Sequence, residues 1–507
     1  MNRVLNPPTT LPPLPLLLWD TPPGLELILA QEGVPTAKVS DPHPLAFQSG
    51  RFVLFDARKT SASKLKASLG RGHVAVDVDE LRRGWPHDPF AALVDNRAAR
   101  TAWQVGGLDL AERVARRDKA TIRHQVIERL RAAIGRAGGL WARLSPYPYP
   151  FRSAFNFRAD LDEPIPADYA RFAHARRPIA DCTTHFVSTH AYGRNPAVLG
   201  DLRGLDTQSH GHFHVVYRDP DANRSNLERA HDLLVDSGIA PSGFAAPGGR
   251  WNRGLDRAIE DLGYEYSSDF HLGFDDLPFF PWLGRRFSRV LQVPIHPICE
   301  GLFVEAGAVA DDGRKVGEHL ARAVRAKIEA GEPAFVYGHP ERRLGRFPWV
   351  LGAIASEIAG EGLLWRVTLT EFAHWWRWRA ERRWSVVPKG QGRFEVQFDE
   401  WDARYPLALE IHRAGRVASL PIAGPCMPLA LDSLAYERLP SRPDLPGPRP
   451  LRGPRGLRAA VRAALDWETV TPIDELPDRT LAARLKIGLR RWRTRPDGDD
   501  PDGRACA

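Results

Sequence analysis

Three histidines stand within five residues, at His210, His212 and His214, and two aspartates, Asp160 and Asp162, stand two apart upstream of them. Imidazole and carboxylate together suit a divalent ion such as Zn²⁺, and a three-ligand site leaves one position open for water, whose pKa then falls toward ~7. His210 and His214 are four apart and share one face of a helical turn, whereas His212 joins them only on an extended segment. On a strand, residues two apart point the same way, so Asp160 and Asp162 can face one cavity, one on a metal and the other taking a proton. The plainer alternative is a helix cap or an ion pair with Arg158. Further along, Phe244-Ala-Ala-Pro-Gly-Gly249 is followed by Arg250 and Trp251; the proline fixes one dihedral and the glycines let backbone N–H groups approach an oxyanion. Tyr266-Ser-Ser-Asp269 resembles a strand end whose Asp269 could orient a catalytic histidine. His339 follows the apolar run Ala334 to Tyr337, where it is placed to protonate a leaving amine. In this order the parts compose a mononuclear metal hydrolase that cleaves an amide with water.

Such groups need strand ends to hold them. From Phe155 to about Arg379 apolar strands alternate with helices, among them Asn226 to Ser237, Leu255 to Leu262 and Gly317 to Ala330, which predicts a barrel of parallel strands over residues 151–380. Before it, Leu16 to Trp19, Arg51 to Asp56 and His73 to Asp77 have strand character and Gly24 to Glu32 is helical, so residues 1–107 form a small α/β domain. That domain lacks a Gly-x-Gly-x-x-Gly phosphate loop. Leu108 to Ala137, with Val114, Ile122, Val126, Leu130 and Ile134 among arginines, is expected to be an amphipathic helix, making 108–150 a helical connector. Arg393 to Phe398, Leu407 to His412 and Arg416 to Leu420 are short strands of a β module over 385–440. Residues 441–507 comprise a Pro/Arg-rich linker, a basic amphipathic segment at Leu481 to Trp492 and a tail expected to be disordered. The fold class is therefore α/β, a barrel of parallel strands with a smaller domain on either side.

At 507 residues the chain exceeds one ordinary core, and its hydrophobic content of 43% permits a large one. The net charge of +8 comes from basic residues spread along the chain without an RNA- or DNA-binding motif, so no nucleic-acid partner is expected. The basic segment near the C-terminus could make peripheral membrane contact. Fifteen tryptophans suit ring-stacking surfaces as well as cores. The four cysteines form no Cys-x-x-Cys pair, which argues against a disulfide scaffold or a structural zinc cluster. The apolar run Leu14 to Trp19 is too short for a signal segment or a membrane span, so a cytoplasmic protein is expected.

Taken in order, the five clusters over roughly Phe151 to Trp378 resemble the motifs of the polysaccharide deacetylase family, the NodB-like carbohydrate esterases. The resemblance implies a distorted (β/α) barrel and hydrolysis of the N-acetyl group of an amino-sugar-containing glycan or glycan precursor. It implies Asp160 as catalytic base, Asp162, His210 and His214 as ligands of one divalent metal, usually zinc, His339 as catalytic acid, and the Gly248 amide on the oxyanion. Three positions depart from the family pattern. Asp-x-Asp replaces adjacent aspartates, as in a divergent branch. Ala245 stands where an arginine normally supports the base, with Arg250 as the candidate substitute. Tyr337 stands where a leucine usually lines the acetyl pocket. These departures leave two alternatives, a catalytically weakened glycan-binding or scaffold protein on a deacetylase barrel, and a hydrolase of another non-peptide C–N bond.

Overall fold

The computed structural model describes residues 14–39, 52–60, 73–193, 196–217, 219–306, 313–390, 393–413, 415–440, 445, 447–450, 481, 484, 485, 487 and 488. Most of the basic segment, and all of 496–507, lie outside the described residues. Near the N-terminus, Leu16–Trp19 is flanked by Thr36–Lys38 and Phe52–Phe55, and Val74–Asp77 completes a four-stranded sheet whose pairs are all parallel. Leu16–Trp19 and Phe52–Phe55 are buried throughout, as expected of parallel strands covered on both faces.

The stretch expected to be one long helix divides in two. Leu108–Ala115 is a strand, paired antiparallel with Ala98–Val105, and only Lys119–Arg136 is helical. Gly106 and Gly107, at φ 54° and 80°, make the two-residue turn that joins the strands. Trp103, Val105, Leu110 and Val114 are buried in the same core as the barrel. The helix is capped by Asp118, which accepts from the Thr121 N–H at 2.9 Å, and its Ile122, Val126, Leu130 and Ile134 belong to a second core shared with the N-terminal sheet and the C-terminal strands. Beyond it, Trp141–Leu144 pairs antiparallel with Ala408–Arg413, so the connector ends as a strand of the C-terminal β structure. Arg449–Pro450, expected in a linker, pairs with Thr101 and Ala102 of the hairpin.

The central sheet is entirely parallel: β1 (Ser153–Leu161), β2 (Thr183–Val187), β3 (Asp206–Ser209), β4 (Gly243–Phe244), β5 (Tyr266–Ser267) and β6 (Leu291–Gln292) lie side by side in chain order. β7 (Ala334–Gly338) pairs with the other edge of β1, and β8 (Leu364–Arg366) pairs with the start of β1, which is buried along its whole length. The sheet curls until its ends meet, because the His296 N–H just beyond β6 donates to the Phe335 carbonyl of β7 at 2.8 Å. A mixed α/β molecule with a curled parallel half-barrel is the result.

A buried ionic seam joins these parts. Glu32 accepts from Arg123 at 2.6 Å and also from Arg143, Arg123 donates to Asp276 at 2.8 Å, and Arg143 donates to Glu410 at 2.7 Å. Burial alone would raise the Glu32 carboxyl, but Arg143 and Arg123 outweigh it and hold the group far below the ordinary carboxylate range. No helix among the described residues is long and apolar enough to cross a membrane.

Candidate metal centre and catalytic site

Alternation along β1 turns Arg158, Asp160 and Asp162 to one side, and the register places Arg158 beside Tyr337 of β7. β3 ends at Ser209, and the chain then turns at Gly211, whose φ is 84°. Residues 210–214 form no helix; their loop is fixed by Asn226, which accepts from the Phe213 N–H at 2.7 Å and donates back to the Phe213 carbonyl at 3.2 Å. The turn still brings the two expected imidazoles together. Asp162 Oδ1 lies 3.4 Å from His210 Nε2 and 3.2 Å from His214 Nε2, and those nitrogens are 3.2 Å apart. His212 points elsewhere, its Nδ1 standing 3.0 Å from Thr189 Oγ1, and burial pushes its imidazole down to about 4.

The arrangement fits a divalent cation. His210 Nδ1 is 2.7 Å from the Ala245 carbonyl, which can only accept, so that nitrogen carries a proton, and in the neutral imidazole the Nε2 lone pair faces Asp162 and His214. Asp162 Oδ1 is buried without a hydrogen bond of good geometry. Donor atoms of Asp162, His210 and His214 thus converge with no lysine or arginine among them, and an ion held there would have two nitrogen ligands and one oxygen ligand, a set suited to zinc.

Asp160 is 3% exposed, and both its oxygens are held by Arg158, with Nε to Oδ1 at 2.6 Å and Nη2 to Oδ2 at 2.5 Å. Arg158 Nη1 donates to the Ser268 carbonyl at 2.6 Å. Burial would raise the Asp160 carboxyl, but Arg158, ahead of His210, holds it below its ordinary value. The guanidinium on this aspartate is therefore that of Arg158 from the same strand, and Arg250 lies exposed on the loop after Gly248. The ion pair weighed as an alternative to a site for Asp160 is present within the site itself.

His339 follows β7, its Nε2 3.7 Å from Asp162 Oδ2. Its orienting carboxylate is Glu300, whose Oε1 is 2.6 Å from His339 Nδ1 and accepts the His339 backbone N–H at 2.9 Å. Burial and Arg343 push the His339 imidazole down, but Glu300 outweighs them and holds it well above the ordinary histidine value. Gly338 is needed at this junction because a Cβ there would come within 2.5 Å of Glu300 Oε2. Cys299, Glu300 and His339 also bring potential ligand atoms together, but Arg343 Nη1 already stands 2.8 Å from His339 Nδ1 and 3.5 Å from Glu300 Oε1.

Asp269, expected near a histidine, instead accepts from the Ala246 N–H and the Ser267 hydroxyl, both at 2.8 Å, and so fixes the loop before Gly248. Gly248 is exposed with φ 60°, a left-handed conformation suited to glycine. Tyr337 is buried, its ring 5.9 Å from Phe270 and 5.8 Å from His339. Trp251 is half-buried, with Nε1 3.4 Å from Asp256 Oδ1. Glu300 and Asn226 were not singled out in the sequence. Glu300 directly follows Cys299 with no motif to mark it; the one available signal for Asn226 was its place in a helix close behind the histidine loop.

No family model matches the chain, and no curated protein matches it. Among solved structures it is similar to a putative polysaccharide deacetylase from Mycobacterium smegmatis, with 17% identity over 46% of this chain and 94% of that one and a TM-score of 0.38. It is also similar to a family 4 carbohydrate esterase from Streptomyces lividans, with 14% identity, 42% and 90% coverage and a TM-score of 0.29. A third is a CE4 family pseudoenzyme from Bacillus anthracis, with 13% identity, 45% and 68% coverage and a TM-score of 0.28.

Proposed function

We propose that this chain is a metal-dependent deacetylase that hydrolyses the N-acetyl group of an amino-sugar-containing glycan or glycan precursor. The observation that carries the reading is the convergence of Asp162, His210 and His214 on one point, flanked by a carboxylate paired with arginine at Asp160 and an imidazole paired with carboxylate at His339. A divalent cation, zinc by the nature of the donors, would supply Lewis-acid chemistry there, polarising the acyl oxygen and acidifying water beside it. Asp160, oriented by Arg158, takes a proton from the attacking water as the C–O bond forms. The Gly248 N–H donates to the developing oxyanion. His339, kept protonated by Glu300, gives its proton to the nitrogen as the C–N bond breaks, leaving acetate and a free amine.

The binder alternative was motivated by Ala245 and by the two further domains; on the first ground the Arg158 pair on Asp160 supports the enzyme instead, since a guanidinium is supplied from β1. Acetate release from a panel of N-acetylated sugars and oligosaccharides, by zinc-loaded and by chelated protein, tests the reading. Metal-dependent acetate is expected; a zinc-replete protein that releases none from any member would overturn it.

A further inference from the structure

A second cavity, of about 390 Å³, lies where the N-terminal part of the chain meets the barrel and is lined by Asn96 and Arg97 from one side and Trp251, Arg253, Trp282 and Gly284 from the other. Its size is at the lower end of roughly 300–1,000 Å³ for small-molecule pockets. It shares with the candidate active site only the loop that carries Gly248 and ends at Trp251.

Both tryptophans are half-buried and held in place. The Trp282 carbonyl accepts from Asn96 Nδ2 at 2.9 Å, and its ring meets Phe287 edge-on at 4.9 Å. Trp251 is tethered through Asp256 and packs against the second core. Two fixed, half-exposed indoles on one cavity offer flat apolar faces at little entropic cost, which suits the C–H faces of a pyranose ring.

The charge at this cavity is positive. Its one carboxylate, Asp95, is already shared by Arg97 at 2.8 Å and Arg116 at 2.6 Å. Arg253 is exposed and has no acidic partner among the described residues. A Cβ at Gly284 would come within 3.2 Å of Arg253 Nη2, so the glycine gives the guanidinium room. A planar, permanently charged fork of donors beside aromatic faces selects a carboxylate or phosphate carried on a ring.

We infer that this cavity is a saccharide subsite for a pyranose ring bearing a negatively charged substituent, with Trp251 and Trp282 receiving the ring and Arg253 the charge. The inference concerns binding and does not rest on turnover at the candidate active site.

Calorimetric titration of the full chain tests it, using a hyaluronan tetrasaccharide for a uronate, N-acetylglucosamine 6-phosphate for a phosphate, and chitotetraose as the neutral control. At least one acidic saccharide is expected to bind about tenfold more tightly than chitotetraose, and Arg253→Gln should remove that advantage. Trp282→Ala should weaken the same saccharide by about tenfold. If Trp282→Ala does not fold, Arg253→Gln at the surface still decides the matter. Equal affinity for neutral and acidic saccharides, no binding of either acidic one, or wild-type affinity in Arg253→Gln would overturn the inference. Acetate release measured on the same samples separates the two readings: failure of binding with release intact removes only the subsite, and failure of release with binding intact removes only the deacetylase.

Discussion

Two clusters of charged side chains, one buried and one half-buried at the barrel mouth, are completed differently. At the seam, Glu32 meets the guanidiniums of Arg123, Arg131 and Arg143, and Arg123 is shared with Asp276. At the barrel mouth, Asp162 meets His210, His214 and His339, and the lone pair of His210 faces it. Burying a charge is costly unless it is paired, so the first cluster is finished by the protein and the second leaves room for a cation from outside. The neighbouring group of Cys299, Glu300 and His339 behaves like the seam, since Arg343 already supplies its positive charge. Ligand-type residues alone therefore do not set the candidate metal site apart; the absence of an arginine among them does.

The comparison can be broken at either end. The largest effect is expected from His214→Ala, which should lose bound zinc and acetate release together, read by metal analysis and product assay; full metal retention would place the ion elsewhere. Next, Glu32→Gln should cost about 3–5 kcal/mol in denaturant unfolding, because it leaves buried guanidiniums without their carboxylate. Glu32 and Glu410 are both held far below the ordinary carboxylate range, burial opposing and Arg143 leading the pull in each. A depressed folded pKa gives stability that is present above the unfolded value of ~4.3 and lost as pH falls toward the folded one, so unfolding measured from pH 7 to 3 should show wild type losing stability faster than Glu32→Gln below about pH 5. Asp160→Asn should keep its zinc while turnover falls by ~10² or more. The smallest effect is expected from Glu300→Gln, which keeps the hydrogen bond but not the charge; kcat should fall by roughly tenfold with zinc content unchanged.

How much could be read in the sequence follows from how local each signal is. Asp-x-Asp on a strand and a histidine after an apolar run each fix their own geometry within a few residues, whereas His210 and His214 meet through a loop held by Asn226 instead of the helical turn their spacing suggested; the structure brings Asp160, Asp162, His210, His214 and His339 together. The pairing histidine and carboxylate of His339–Glu300 is 39 residues apart and depends on the turn of the whole barrel, so no spacing announces it. Arg158 was visible as a possible partner of Asp160, but its role in place of the absent arginine at position 245 required the side chains. The strand at Leu108–Ala115 was misjudged because Val114 happens to continue the helical period of Ile122 to Ile134, although Gly106-Gly107 ahead of it is a hairpin signal.

X-ray absorption at the zinc edge of protein loaded with one equivalent of zinc tests the central claim most directly. Two imidazoles with oxygen ligands and no sulfur, at one ion per chain, are expected around the metal. A shell containing sulfur, which would put the ion on a cysteine such as Cys299, or failure to retain any stoichiometric zinc, would contradict it.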